Sequence, residues 1–214
     1  MNTQARWEIR SGMIALVGSS LLFVLGILLR GPIPSVAIPA SFSLAAASAN
    51  YVAGWTVILV GFVLQLYGYF GLYRYLTYRA QNVIALLAFV LRIVGLAFFM
   101  PLASFLAVNV PVIARLYQQG IQDALTVWEA NSTSSGLALM AVTSIAAIIG
   151  AILFMIAIWR DGRLPKWTVV LMALSQPLLV GFTFTTELLG AVLLLISTAM
   201  IAWKGWQESA AGTG

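Results

Sequence analysis

Six polar residues sit inside apolar stretches of this chain: Gln65, Arg92, Thr143, Ser144, Gln176 and Glu187. Arg92 is the costliest. It lies mid-way along the apolar run from Val83 to Phe99, where an ionised guanidinium costs roughly 2.5–3.5 kcal/mol on insertion scales. Protein groups must solvate it. The chemistry on offer is hydrogen bonding and charge, directed either at a neighbouring helix or at an anionic or carbonyl group of a ligand. Glu187 is the one acid near an apolar segment and the candidate counter-ion. A direct pair requires Arg92 to reach outward and the helix of Glu187 to start deep.

Catalytic chemistry lacks its parts. The chain has no histidine and no cysteine. This removes the usual general base, the thiol nucleophile and the commonest ligands of zinc and haem. The acids Asp123, Glu129, Asp161, Glu187 and Glu208 are scattered, and no two of them pair at helical spacing inside an apolar run. No catalytic residue, metal site or cofactor is expected, and ion-coupled transport lacks the intramembrane acids it usually uses. Lys166 and Lys204, the only lysines, fall at helix ends, away from any interior Schiff base.

These residues sit in a chain of 214 residues that is 62% hydrophobic and 8% charged, against about 25% charged in soluble domains. Lipid must be its solvent. A spanning helix needs about 20 mostly apolar residues. Six segments qualify: Gly12–Leu29, Tyr51–Tyr73, Asn82–Phe105, Ser135–Trp159, Trp167–Phe184 and Glu187–Trp203. The expected fold is all-α, a polytopic bundle of six transmembrane helices. Residues 1–206 form one transmembrane domain and 207–214 a short cytoplasmic tail. The Gly12–Leu29 run is longer than the h-region of a signal peptide and reads as a retained helix. Pro111–Asn131, with Ile113, Leu116, Leu125 and Trp128 on one face, predicts an amphipathic helix on the outer surface between the third and fourth spans. The proline-rich stretch 31–50 predicts irregular chain with at most a weak helical turn.

The net charge of +5 comes from basic residues at helix ends, which points to membrane topology rather than nucleic acid. Arg6, Arg10, Arg74, Arg79, Arg160, Arg163, Lys166 and Lys204 share one set of ends, against Arg30 and Arg115 at the other. The positive-inside rule places both termini in the cytoplasm. Trp7, Trp159, Trp167, Trp203 and Trp206 mark the inner interface, and Trp55 and Trp128 the outer one. Tyr67, Tyr69, Tyr73, Tyr75 and Tyr78 read as headgroup anchors or as contacts for a ring-shaped ligand.

Two seams of small residues should bring helices together. Gly54, Gly61 and Gly68 recur every seven residues on one face of the second span, and Gln65 lies on that face. Close backbone approach at such residues drives helix association in lipid. Thr143, Ala146, Ala147, Gly150 and Ala151 make a similar face on the fourth span. At 1.5 Å per residue, Arg92 lies about 15 Å inside Asn82 and Gln176 about as deep past Lys166. Gln65, Thr143 and Ser144 fall near the same level. Ala85, Ala88 and Gly95 give Arg92 a small, inward-facing surface. Pro101 and Pro177 free the carbonyls of Ala97 and Ala173 as candidate acceptors.

The patterns Arg10-Ser11-Gly12-Met13, Phe89-Val90-Leu91-Arg92 and Arg160-Asp161-Gly162-Arg163-Leu164-Pro165-Lys166-Trp167 resemble those of a family of uncharacterised six-helix bacterial membrane proteins. The resemblance implies the fold and a bacterial inner-membrane setting; it carries no activity and no active site. The leading functional expectation is a non-catalytic accessory or structural subunit of a membrane complex. The alternative is a protein that binds or transports a small molecule, anion or lipid at the layer around Arg92. Its partners would be the bilayer, other membrane subunits, or a hydrophobic or anionic small molecule.

Overall fold

The computed structural model describes residues 3–34, 39–78, 81–124, 126, 135–179 and 183–211. Among them are seven helices and no strand: α1 (Thr3–Arg30), α2 (Pro39–Ala46), α3 (Ala49–Thr77), α4 (Val83–Gln118), α5 (Ser135–Asp161), α6 (Lys166–Leu179) and α7 (Phe184–Ala211). Local chemistry sets several ends. The Ser48 hydroxyl accepts from the Tyr51 amide and opens α3. The Asn82 side chain accepts from the Ala85 amide and opens α4. Each satisfies a donor that the first turn leaves free. Gly31 and Gly162, at φ of +69° and +71°, end α1 and α5 in the left-handed conformation.

Five helices, α1, α3, α4, α5 and α7, are long and apolar enough to cross a membrane. For the sixth expected span, the described part is α6, Lys166–Leu179, of 14 residues, about 21 Å of rise; residues 180–182 lie outside the described residues, and Phe184 belongs to α7. Pro177 removes a hydrogen bond from its last turn. Other boundaries lengthen. α1 begins at Thr3, where Gln4 donates to Glu8 and Glu8 pairs with Arg74 at 2.8 Å. α7 runs on through Ala211, so residues 207–211 of the expected tail are helical.

α4 continues through Pro101 and Pro111 to Gln118. Residues 111–118, expected to begin a separate amphipathic helix, therefore close a helix of 36 residues. The rest of that expected helix, at 125 and 127–131, lies outside the described residues. α2 explains the extension. Its Phe42 and Ala46 cover Val110 and Ala114 of α4 beside Tyr51, and the Gln118 amide donates to the Ser43 carbonyl at 3.0 Å. That contact gives the end of α4 a buried face.

The helices other than α2 close into a ring in the order α1, α3, α4, α5, α6, α7 and back to α1. Glycine pulls the α1–α3 seam together. A Cβ on Gly68 would fall 2.7 Å from the Leu16 Cα, one on Gly61 would meet the Phe23 ring, and one on Gly54 would fall 2.6 Å from the Arg30 amide nitrogen. The α1–α7 seam is polar: Thr198 donates to Ser20 at 3.1 Å, with both hydroxyls also bonded to their own helices. The α5–α6 seam is the sparsest of the ring.

The end of the ring that holds Thr3 and Ala211 is solid. Ile9, Leu72, Phe154, Ile158, Met172 and Ile201 interlock there at 1% exposure or less. Arg163 ties its rim. Its guanidinium chelates Asp161, donates to the Tyr75 carbonyl at 3.0 Å and lies 4.4 Å over the Tyr75 ring. Glu208 of α7 approaches it at 3.8 Å. Three helix ends are joined by one side chain.

Candidate functional site

Arg92 is placed by the close approach of α4 and α5. A Cβ on Gly150 would fall 2.8 Å from the Arg92 amide nitrogen, and one on Gly95 would fall 2.6 Å from the Ala147 Cβ. This brings the Ala147 carbonyl within reach, and Arg92 Nη1 donates to it at 3.0 Å. Nη2 donates to the Tyr69 hydroxyl at 2.7 Å, and the guanidinium lies 4.8 Å over the same ring. Tyr69 is held by stacking on Phe154 at 5.2 Å. Arg92 is 6% exposed, and its Nε–H has no partner. A guanidinium carries five donors, so two bonds leave this one short of acceptors.

A second cluster lies toward the opposite end of the ring. Gly26 and Gly54 let α1 and α3 touch beside Arg30. Arg30 Nη2 donates to Glu187 Oε2 and forms an ion pair with it. The guanidinium lies 4.9 Å over the Trp55 ring. Both partners suit their helix ends, since Arg30 closes α1 and Glu187 lies in the first turn of α7. Arg30 Nε is buried with no partner among the described residues. The Trp55 ring meets Tyr51 edge-on at 6.4 Å, and the indole N–H interacts with the Tyr51 hydroxyl.

One cavity of about 230 Å³ joins the two clusters, and all six ring helices contribute to its wall. Gln65, Arg92, Ser144 and Gln176 line one part, and Arg30, Trp55 and Glu187 another. The wall between is apolar: Phe23, Ile58, Phe62, Leu96, Phe99 and Leu102. Gln65 is 2% exposed, so its amide lies inside the ring. Two guanidiniums against one carboxylate leave the cavity with one net positive charge. Ile148 of α5 both lines the cavity and is 46% exposed.

The structure brings Gln65, Arg92, Ser144, Gln176 and Glu187 to one cavity. Thr143 precedes Ser144 on α5, and its side chain lies outside the described residues. Gly54, Gly61 and Gly68 face α1 rather than the cavity. Three expectations need correction. Glu187 pairs with Arg30, not Arg92, because it stays at the start of α7. The acceptor for Arg92 is the Ala147 carbonyl, not a proline-freed one at Ala97 or Ala173, because the glycines bring α5 closest. Tyr69 is buried rather than an interfacial anchor.

Arg30 and Tyr69 are the site residues that sequence reasoning missed. Tyr69 follows Gln65 by one turn, which puts the two on one face. Arg30 and Glu187 fall at the same end of neighbouring antiparallel helices, the signal that could have paired them. Comparison with protein-family models, with curated proteins and with solved structures finds no match for this chain.

Proposed function

We propose that this chain is a non-catalytic membrane protein that binds an amphiphile with an acidic head, carboxylate or phosphate, in the cavity of its helix ring. The head sits at Arg92 and the tail lies along the apolar wall. One observation carries this reading: a buried guanidinium lines a cavity of net positive charge whose other walls are mostly apolar. An oxyanion there supplies the missing charge, and charge-assisted bonds are the strong ones. A neutral apolar guest does not.

The setting we propose is a bacterial inner membrane with both termini in the cytoplasm. The uneven distribution of basic residues between the two sets of helix ends supports the orientation. The resemblance to six-helix bacterial proteins supports the setting. The competing expectation was an accessory subunit, prompted in part by the glycine stripe. That stripe is taken up by α1 of the same chain, so it offers nothing to a partner.

The test uses detergent-solubilised protein and lauric acid as probe. Laurate should raise the unfolding temperature of the wild-type protein in a saturable way. Arg92→Met should abolish that rise. An equal rise in both proteins would place the probe elsewhere and end this reading.

A further inference from the structure

We infer that the occupant is polar at both ends, with an acid at Arg92, a neutral hydroxyl at the Arg30–Glu187 pair, and an apolar chain between them. This rests on the binding reading above and names the class of ligand. The cavity does not end in hydrocarbon. At the far side from Arg92 it is lined by a charged pair and an indole. A plain alkyl tail would press its methyl end against those charges, and covering polar groups without replacing their hydrogen bonds is unfavourable.

The pair itself is half satisfied. Arg30 donates to Glu187 Oε2 through Nη2, while Arg30 Nε has no partner. The Glu187 side chain keeps 23% of its surface exposed, against 5% for Arg30. The carboxylate is the more open partner of the pair, and a hydroxyl donates to it without bringing a charge. A second carboxylate would be opposed by Glu187, and an ammonium by Arg30. The far end of the ligand is therefore neutral.

Length follows from the helices. Trp55 and Gln65 mark the two clusters on α3 and are ten residues apart, about 15 Å along the axis, a distance that one extended alkyl chain bridges.

The experiment compares lauric acid, ω-hydroxylauric acid and dodecanedioic acid on the solubilised full chain, by ligand-dependent shifts in unfolding temperature. ω-Hydroxylauric acid should bind about tenfold tighter than lauric acid, the value of one hydrogen bond to a charged group. Dodecanedioic acid should bind most weakly. In Glu187→Gln the opposing charge is gone, and the diacid should gain at least about tenfold on the hydroxy acid. Where Glu187→Gln fails to fold, the wild-type ranking decides alone. Equal binding of lauric and ω-hydroxylauric acid overturns the two-ended ligand and leaves the Arg92 head site standing. Failure of all three to bind overturns both.

Discussion

Replacing Arg92 by methionine separates a guanidinium that holds helices from one that holds a ligand. Arg92 makes two hydrogen bonds, to the Ala147 carbonyl and the Tyr69 hydroxyl, and one contact with the Tyr69 ring. Bonds from a charged donor contribute about 1.5–3 kcal/mol each and the ring contact about 1 kcal/mol, or about 4–7 kcal/mol in all. Keeping the charge within the apolar layer costs about 2.5–3.5 kcal/mol. The net contribution to folding is about 1–4 kcal/mol. Methionine is unbranched and adaptable, so it recovers part of the packing. Arg92→Met should therefore lower stability by about 1–3 kcal/mol, measured by denaturant titration followed by circular dichroism. The effect on an acidic ligand should be larger in proportion. Two charge-assisted bonds from a forked donor are lost, which weakens laurate binding by at least about a hundredfold. Arg92→Lys keeps the charge without the fork and should fall between the two. Laurate affinity in Arg92→Met within about threefold of wild type would refute the head assignment. A stability loss above about 5 kcal/mol, with laurate binding unchanged in Arg92→Lys, would mark Arg92 as structural alone.

Four further substitutions probe the scaffold and the cavity wall. Gly68→Val places its first side-chain atom 2.7 Å from the Leu16 Cα and should cost about 1–3 kcal/mol or more on denaturant titration. Gly18→Val, whose nearest neighbour is a Leu64 methyl at 3.8 Å, should be well tolerated and serves as its control. Arg163→Met strips Asp161 and the Tyr75 carbonyl of their donor and should cost about 3 kcal/mol, as expected when one partner of a buried pair is removed. Burial opposes the charge of Arg163, but its bonds to Asp161 and the adjacent tyrosines outweigh burial and raise its pKa. A raised pKa on a cation means that its contribution is complete below the unfolded value. The clamp should then hold without change across neutral and alkaline pH, and the Arg163→Met deficit should be flat over that range in the same assay. Ile148→Trp adds bulk at a residue that both lines the cavity and is exposed and should slow laurate association in stopped-flow fluorescence with little change in stability. Unchanged association rates would show that the ligand enters elsewhere.

Periodicity and depth carried much of the architecture because lipid leaves few options. Apolar length located the helices, and the seven-residue glycine interval located the α1–α3 seam, since a Cβ at Gly54, Gly61 or Gly68 has nowhere to go. Counting residues from helix ends brought Gln65, Arg92, Ser144 and Gln176 to one level, and they do line one cavity. Rotation about each helix axis was harder to read. Tyr69 and Tyr73 look alike as end-of-helix aromatics. Tyr69 turns inward to Arg92 and Phe154, whereas Tyr73 stacks on Phe89 at 5.1 Å. Helix ends were the least legible. Whether α4 stops at Phe105 or runs to Gln118 depends on α2 covering its face, a contact between segments more than sixty residues apart.

The partner of Glu187 illustrates why a counter-ion cannot be chosen by scarcity. Glu187 is the one acid near the apolar layer, and Arg92 the one cation deep within it. Matching them by elimination ignores that a charge pair forms where backbone geometry brings two side chains together. Gly26 and Gly54 fix the end of α1 against α3, α7 packs along α1, and Arg30 therefore meets Glu187 without leaving its own helix end. Arg92 is left to a carbonyl, a phenol and a cavity. Had Glu187 reached it, the cavity would hold a closed pair there and leave the free charge at Arg30. With Arg30 taking the carboxylate, the unpaired charge stands at Arg92, on the side of the cavity lined by Gln65, Ser144 and Gln176.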